Sequence, residues 1–127
     1  YLMVQKEMAE RLTGKVGTKA YSRLTVMIGA FMDVKICFNI SPNVFIPIPK
    51  VESSIIRLVK KPKPLIRDNQ FKQFEKIVQS AFSQRRKMLR NSLKEFNFHL
   101  KIQEEIDFRR RPETLLIQEF VKLLQNR

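Results

Sequence analysis

The sequence predicts an α/β unit over residues 1–60, followed by a small all-α domain over residues 68–127. In the first part, short apolar stretches rich in β-branched residues alternate with helical patterns. In the second part, apolar residues recur at a spacing near 3.6, which is typical of amphipathic helices. Residues 61–67 (KPKPLIR) are basic and contain two prolines, so they predict the linker between the two parts.

The first part contains three predicted strands and two predicted helices. The apolar run Leu2–Val4 indicates a strand, and Gln5–Leu12 and Leu24–Met32 indicate helices. The alternating segments Val34–Ile40 and Glu52–Val59 indicate two more strands. Because the chain opens directly into a strand, we expect it to be the C-terminal portion of a longer protein.

Segment 41–51 is predicted to be extended and stiff. It contains three prolines, Pro42, Pro47 and Pro49. Proline disfavours a helix and restricts the backbone. A stiffened chain would hold Phe45 in a fixed pose that suits stacking on a nucleobase, while Lys50 contacts phosphate. The alternative, that Phe45 belongs to the core, is slightly favoured by spacing alone.

The second part reads as four helical segments. Phe71–Gln84 has one apolar face, and the pattern continues after a bend through Met88, Leu89, Leu93 and Phe96. A short helix is expected around Ile102–Ile106. The last helix is expected over Pro112–Gln125, with its inward face formed by Leu116, Phe120, Val121 and Leu124.

Composition excludes several classes of protein. With 43% hydrophobic residues, the chain is not wholly disordered, and no apolar run is long enough to cross a membrane. A single cysteine and a single histidine exclude a disulfide framework, a thiolate zinc cluster and a multi-histidine metal site. We therefore expect no metal. Cys37 is predicted to be a buried small hydrophobe and His99 to be structural.

Charge is the strongest compositional signal. The 25 Lys and Arg residues outnumber 12 Asp and Glu, for a net charge of +13. This favours a polyanion, nucleic acid first and an anionic membrane surface second. The alternative is a basic protein whose charge serves solubility alone.

The basic residues cluster most densely between Gln84 and Asn91 (QRRKMLRN). Placed at the end of a helix, Arg86 and Arg90 would share one face, and arginine binds phosphate in a bidentate manner. A solvated helix end, where cations are electrostatically favoured, is the alternative. Two smaller clusters lie at residues 60–63 and 109–111.

Taken together, these motifs resemble the ribosomal RNA small-subunit adenine dimethyltransferase family. The matching stretches are residues 3–12 (MVQKEMAERL), 19–26 (KAYSRLTV), 45–53 (FIPIPKVES), 82–91 (FSQRRKMLRN) and 111–113 (RPE), with Phe120 later. They occur in the family's order and span nearly the whole chain.

The resemblance implies a fold, a reaction and a set of site residues. The fold would be a Rossmann-like methyltransferase domain, here represented by its last strands and helices, followed by a helical rRNA-recognition domain. The reaction would be methyl transfer from S-adenosylmethionine to N6 of two adjacent adenosines near the 3′ end of small-subunit rRNA. Phe45, braced by Pro47 and Pro49, would pack on the flipped adenine. The rRNA phosphates would be held by Lys50, Arg85, Arg86, Lys87, Arg90 and Arg111.

The sequence also departs from the family pattern. The glycine-rich S-adenosylmethionine loop, the acidic ribose partner and the N-L-P-Y motif precede the segment that matches Tyr1, so none is present. We therefore expect this chain alone neither to bind the cofactor nor to catalyse methylation. Ser22 replaces a usual glycine. Leu116 replaces a usual helix cap, which predicts capping of the last helix through Thr114.

Three alternatives to this enzyme remain. The first is a non-catalytic RNA-binding or ribosome-assembly factor on the same scaffold. The second is a drug-resistance methylase acting on large-subunit rRNA, which the QRRK motif disfavours. A membrane-surface role is least favoured, because no helix pairs a lysine-rich face with an exposed apolar one. We expect a cytoplasmic monomer whose partner is small-subunit rRNA or its precursor particle.

Overall fold

The computed structural model describes residues 1–48, 50–96, 98 and 100–125. Within them, a three-stranded sheet lies beside six α-helices, so the α/β class predicted from the sequence is confirmed. The strands are β1 (Leu2–Gln5), β2 (Met32–Ile40) and β3 (Ser53–Lys60). The helices are α1 (Lys6–Leu12), α2 (Arg23–Gly29), α3 (Phe71–Ser83), α4 (Leu89–Ser92), α5 (Leu100–Glu105) and α6 (Ile117–Gln125).

The sheet is antiparallel, and β3 is its central strand. The strand order is β1-β3-β2, with Met3 opposite Ile55 and Lys35 opposite Arg57. The chain passes from β1 directly into α1, so α1 starts at the edge of the sheet. Here Lys6 also donates its main-chain N–H to the carbonyl of Glu52, at 2.9 Å.

The hydrophobic core joins α2 to the helices of the second half. It contains Val26 from α2 and Ala30 directly after that helix, Phe74 and Ile77 from α3, and Phe120 from α6, all fully buried. The apolar face predicted for α3 is therefore the face that packs. Because the burial of these side chains drives folding, the helical half of the chain, residues 68–125 with helices α3 to α6, is held against α2.

Residues 61–67 are attached to this core. Lys61 donates its N–H to the carbonyl of Phe31 and Leu65 to that of Ala30, both at 2.9 Å. Ile66 is only 4% exposed. Apolar residues inside the basic stretch thus anchor it at the corner between α2 and β2.

The last helix starts later than its sequence pattern predicts. Pro112–Thr114 forms a separate 3₁₀ turn, and α6 begins at Ile117. Thr114 does not cap α6, because its hydroxyl donates to the carbonyl of Arg111 at 2.7 Å. Instead the Glu119 carboxylate accepts from the N–H of Leu116 at 2.9 Å, as in half of a capping box.

This late start also changes which leucine is buried. Leu116, predicted to face inward, is 51% exposed, whereas Leu115 is fully buried. The predictions for Phe120, Val121 and Leu124 are confirmed. The prediction for Leu116 is wrong because it extends the helical spacing of α6 back through residues 112–116, which are not α-helical.

The prediction that Cys37 is buried is wrong, because its thiol is exposed. Strand β2 alternates, and Cys37 lies on the side of Asp33 and Lys35, which are also exposed. A bulge between Ile36 and Phe38 then interrupts the pairing with β3. His99 and Pro49 lie outside the described residues.

Segment 41–51 contains one helical turn that the sequence did not predict. Pro42–Val44 forms a 3₁₀ turn, in which Ser41 Oγ accepts from the N–H of Asn43 at 3.3 Å. Proline fits the first position of this turn, because the N–H that proline lacks would have no hydrogen-bond partner within the turn. Beyond it, Phe45 has the predicted extended backbone.

Candidate nucleic-acid interface

A basic pocket of about 450 Å³ lies where α1, the loop between α1 and α2, and the helical half meet. Its lining residues are Arg11, Lys19, Ser22, Arg85, Arg86, Arg111 and Glu113. Five of these side chains are cationic at neutral pH and only one is anionic. The pocket therefore attracts anions and repels cations.

The turn after α3 brings Arg85 and Arg86 to this pocket. Helix α3 ends at Ser83, and Lys87 donates its N–H back to the carbonyl of Gln84 at 2.9 Å. The guanidinium of Arg85 lies 6.0 Å from the ring centroid of Phe82, within cation–π range. This turn, rather than a continuous helix, carries the cations.

Arg90 is consequently separated from Arg86. The prediction that both lie on one helix face is wrong, because a new helix, α4, begins at Leu89. Arg90 lies at a second, smaller pocket of about 180 Å³. That pocket is also lined by Leu93, Lys94, Phe96, Phe98, Gln103 and Phe108. Lys87 is exposed and lines neither pocket.

Arg111 reaches the basic pocket through the segment that precedes α6. This segment is held by two main-chain hydrogen bonds, from Leu89 N–H to Arg110 at 2.9 Å and from Arg90 N–H to Phe108 at 2.8 Å. The neighbouring Arg110 binds the Glu119 carboxylate at 2.7 Å. Arg110 is thus a structural anchor, and Arg111 is left to line the pocket.

The Glu119 carboxylate combines several interactions. Partial burial raises its pKa. Hydrogen bonds from Arg110 and from the N–H of Leu116, with the positive charge of Arg110, outweigh that effect and hold the pKa below its ordinary value. Glu119 therefore stays ionised at neutral pH, which preserves its ion pair with Arg110, the residue that precedes Arg111.

Phe45 lies at the other end of α1, outside the hydrophobic core. Its ring is half-buried and lines a shallow depression of about 310 Å³ with Met3, Ile46, Pro47 and Ser53. The side chain of Ile46 is 99% exposed. Phe45 is absent from the core cluster, which disfavours the alternative that it is a core residue, and its side chain remains partly exposed.

Lys50 is exposed and lines a mixed-charge pocket of about 470 Å³ beside α1. The other lining residues are Gln5, Lys6, Glu7, Glu10, Pro42, Val51 and Glu52. A further depression shares Glu7 and Glu10 with this pocket and Arg11 and Lys19 with the basic pocket. The surface of α1 therefore connects the Lys50 region to the arginine cluster.

Arg11 and Lys19 are two lining residues of the basic pocket that the sequence did not predict as site residues. Arg11 follows Glu7 by one helical turn and binds it at 2.8 Å, a pattern that indicates a surface ion pair. Lys19 lies in a loop. Their position within the family-like motifs was the available signal, but only the tertiary structure brings them to Arg85 and Arg86.

Metal and membrane features are not found in the described part of the chain. No group of three or more histidine, cysteine or acidic side chains there is arranged to hold a metal. Among the described helices, none combines the length and the hydropathy needed to span a bilayer.

The fold and the pocket define an α/β protein with a strongly basic surface where α1 and the loop after it meet the helical half. The chain belongs to the ribosomal RNA adenine dimethylase family, whose model matches residues 1–124. This finding confirms the resemblance inferred from the motifs.

Curated relatives carry the name ribosomal RNA small subunit methyltransferase A. The relative from Flavobacterium johnsoniae is 46% identical over 123 residues, which cover 97% of this chain and 47% of the relative. One from Clostridium botulinum is 43% identical over 128 residues, which cover 96% of this chain and 46% of the relative. The chain thus spans about half the length of the curated relatives it matches.

Solved structures show the same architecture. A dimethyladenosine transferase from Plasmodium falciparum superposes with a TM-score of 0.82 at 30% identity, covering 98% of this chain and 55% of that structure. The 23S rRNA methyltransferase ErmE superposes with a TM-score of 0.69 at 23% identity, covering 97% of this chain and 52% of that structure. The second similarity concerns the fold alone.

Proposed function

We propose that this chain is the C-terminal portion of an S-adenosylmethionine-dependent rRNA adenine N6-dimethyltransferase. The whole enzyme would methylate two adjacent adenosines near the 3′ end of small-subunit rRNA, as a cytoplasmic monomer. The observation that carries the proposal is the meeting of Arg85, Arg86 and Arg111 in one basic pocket. Family membership and the names of the relatives support it.

In this proposal the chain divides at residues 61–67. Residues 1–60 would complete a Rossmann-like methyltransferase domain, and residues 68–127 would form the helical rRNA-recognition domain. The basic pocket is lined from both sides of this division. RNA would therefore bind across the junction.

The arginines would position the RNA through its backbone. Arg85, Arg86 and Arg111 would contact phosphates at the basic pocket, and Lys87 and Arg90 would extend the contacts along the helical half. Contacts of this kind set register and carry no base specificity. Lys50, at the opposite end of α1, would contact a phosphate near the target nucleotide.

Phe45 would pack against the target adenine. A base inside a helix has its N6 group engaged in pairing and stacking, so the adenosine must be extruded before methylation. A half-buried ring at the edge of the sheet provides a surface for that base, and the reaction then depends chiefly on positioning. Pro47 would limit movement of the ring, and so would Pro49, which lies outside the described residues.

S-adenosylmethionine would supply the methyl group to the whole enzyme. The described residues do not fit this cofactor, because none of the described strands is followed by a glycine-rich loop that leads into a helix. We therefore assign no step on the cofactor to this chain. We expect no methyl transfer when the chain is incubated with the cofactor and rRNA.

RNA binding tests the proposal. A hairpin from the 3′ end of small-subunit rRNA is titrated with the chain at several salt concentrations. Arg85→Glu/Arg86→Glu should weaken binding and lower the slope of log K against log salt by about 1.4 to 1.8, since each phosphate contact contributes about 0.7 to 0.9. Lys72→Glu/Lys76→Glu changes the net charge equally on exposed α3 positions and should leave most of the slope intact. Equal effects of the two pairs would contradict the assignment.

A further inference from the structure

The loop between α1 and α2, residues 13–22, is bound to the helical half at three places. Gly17 donates its N–H to the carbonyl of Glu113 at 2.7 Å. The carbonyl of Thr18 accepts from Arg85 Nη2 at 2.9 Å. The hydroxyl of Tyr21 donates to the carbonyl of Leu115 at 2.5 Å. The loop is therefore fixed to the segments that present Arg85 and Arg111.

The conformation of this loop requires its two glycines. A Cβ on Gly14 would lie 2.8 Å from main-chain atoms of Ala20 and Tyr21, which cannot be relieved by moving a side chain. Gly17 has φ +85°, in the left-handed region that favours glycine. Any other residue at Gly14 or Gly17 would therefore be expected to disturb the backbone of the loop.

Tyr21 is well suited to hold the loop. Its side chain is 3% exposed and belongs to the hydrophobic core. Burial, and secondly the charge of Glu119, raise the pKa of its hydroxyl well above the ordinary value. The hydroxyl therefore remains a hydrogen-bond donor to Leu115 throughout the neutral range.

The loop places the side chain of Lys19 at the basic pocket. It is exposed and lines the pocket with Arg85, Arg86 and Arg111. Within the described part of the chain, no carboxylate lies at ion-pair distance from it. Lys19, Arg85, Arg86 and Arg111 repel one another around this pocket, and Glu113, its one acidic lining residue, offsets only part of their charge. Local costs of this kind are typical of functional sites.

We propose that Lys19 binds a backbone phosphate of RNA in the basic pocket, and that the loop 13–22 sets its distance from Arg85, Arg86 and Arg111. This inference rests on the proposed RNA-binding function. It adds a contact from the first half of the chain to those of the helical half. The ligand is the RNA phosphodiester backbone, so the contact adds affinity without base preference.

The charge contribution of Lys19 is tested with a neighbour as its control. Lys19→Ala should weaken binding of the same rRNA hairpin about threefold to tenfold and lower the salt slope by about 0.7 to 0.9. Lys15→Ala removes the same charge from the same loop, but Lys15 is exposed and does not line the pocket. It should leave the slope near the wild-type value.

The positioning role of the loop is tested without changing charge. Gly14→Ala should weaken RNA binding at least as much as Lys19→Ala, because the added Cβ displaces the loop. Tyr21→Phe, which removes only the hydroxyl contact with Leu115, supplies the same test should Gly14→Ala not fold. Circular dichroism establishes that each variant is folded before its affinity is measured.

The outcomes separate this inference from the proposed function. If Lys19→Ala matches Lys15→Ala while Arg85→Glu/Arg86→Glu weakens binding, the role of Lys19 is overturned and RNA binding by the arginines stands. If folded Gly14→Ala and Tyr21→Phe bind like the wild type, the positioning role is overturned. If Arg85→Glu/Arg86→Glu has no specific effect either, both proposals fail.

Discussion

Arg85 Nη2 donates to the main-chain carbonyl of Thr18 at 2.9 Å, between residues that are 67 positions apart in the sequence. This contact joins the turn after α3 to the loop that precedes α2. Arginine has five N–H donors, so one guanidinium can bind this carbonyl and still offer donors to a phosphate. Arg85 therefore has a structural contact and a proposed RNA contact at the same pocket.

Double-mutant cycles should show that the cations of the basic pocket contribute to RNA affinity independently of Arg90 at the second pocket. Because Arg86 and Arg111 line one pocket and Arg90 another, the effects of Arg86→Ala and Arg90→Ala on RNA affinity should add within about 0.5 kcal/mol. Arg86→Ala and Arg111→Ala should instead show a coupling energy of about 0.5 kcal/mol or more. Additivity in both cycles, measured by fluorescence anisotropy, would contradict a shared phosphate site.

Stacking of the target base on Phe45 should be detectable by fluorescence. An rRNA hairpin with 2-aminopurine at the target adenosine should lose fluorescence on binding the wild-type chain, since the base stacks on the ring. Phe45→Ala should abolish most of this change while total affinity falls by about 1 to 3 kcal/mol at most, the range for one base stacked on an aromatic. Val44→Ala, at a neighbouring side chain that is 66% exposed and does not line the depression, serves as the control. Retained quenching in Phe45→Ala would refute the assignment.

The late start of α6 predicts unequal effects of two apolar truncations. Phe120→Ala should lower the free energy of unfolding by about 3 to 5 kcal/mol, because it leaves a cavity in the core. Leu116→Ala should change it by about 0.5 kcal/mol or less, as is usual at exposed positions, because Leu116 is 51% exposed. Urea denaturation measures both. A large loss for Leu116→Ala would restore the inward orientation predicted from its sequence spacing.

The ion pair between Glu119 and Arg110, which fixes the segment that carries Arg111, should weaken in acid. The pKa of Glu119 is lower in the folded chain than in the unfolded one, so its stabilising contribution is fully present above the unfolded pKa. It is lost as pH falls through the folded pKa. Glu119→Gln should therefore lower Tm at pH 7, and the difference from the wild type should shrink in acid. A difference that persists unchanged below the folded pKa would point to a loss of packing instead.

Local patterns identified most of the secondary structure. The apolar face of α3 follows from the spacing of residues that are neighbours in the chain, and the strand predicted at Leu2–Val4 from an apolar run is observed over Leu2–Gln5. The start of α6 did not follow, because it depends on the Glu119 side chain, which bonds both Arg110 and the Leu116 N–H. Cys37 was misplaced because its neighbours are apolar, although alternation puts it on the exposed side of Asp33 and Lys35.

The amino-acid sequence by itself determined the class of fold, the net charge and the family, since each is a property of composition or of short motifs. Only the tertiary structure decided which cations share a pocket. Lys19 and Arg111 are far apart along the chain, and the contact between Gly17 and Glu113 brings their segments together. Side-chain packing and long-range hydrogen bonds set such distances, and no local periodicity encodes them.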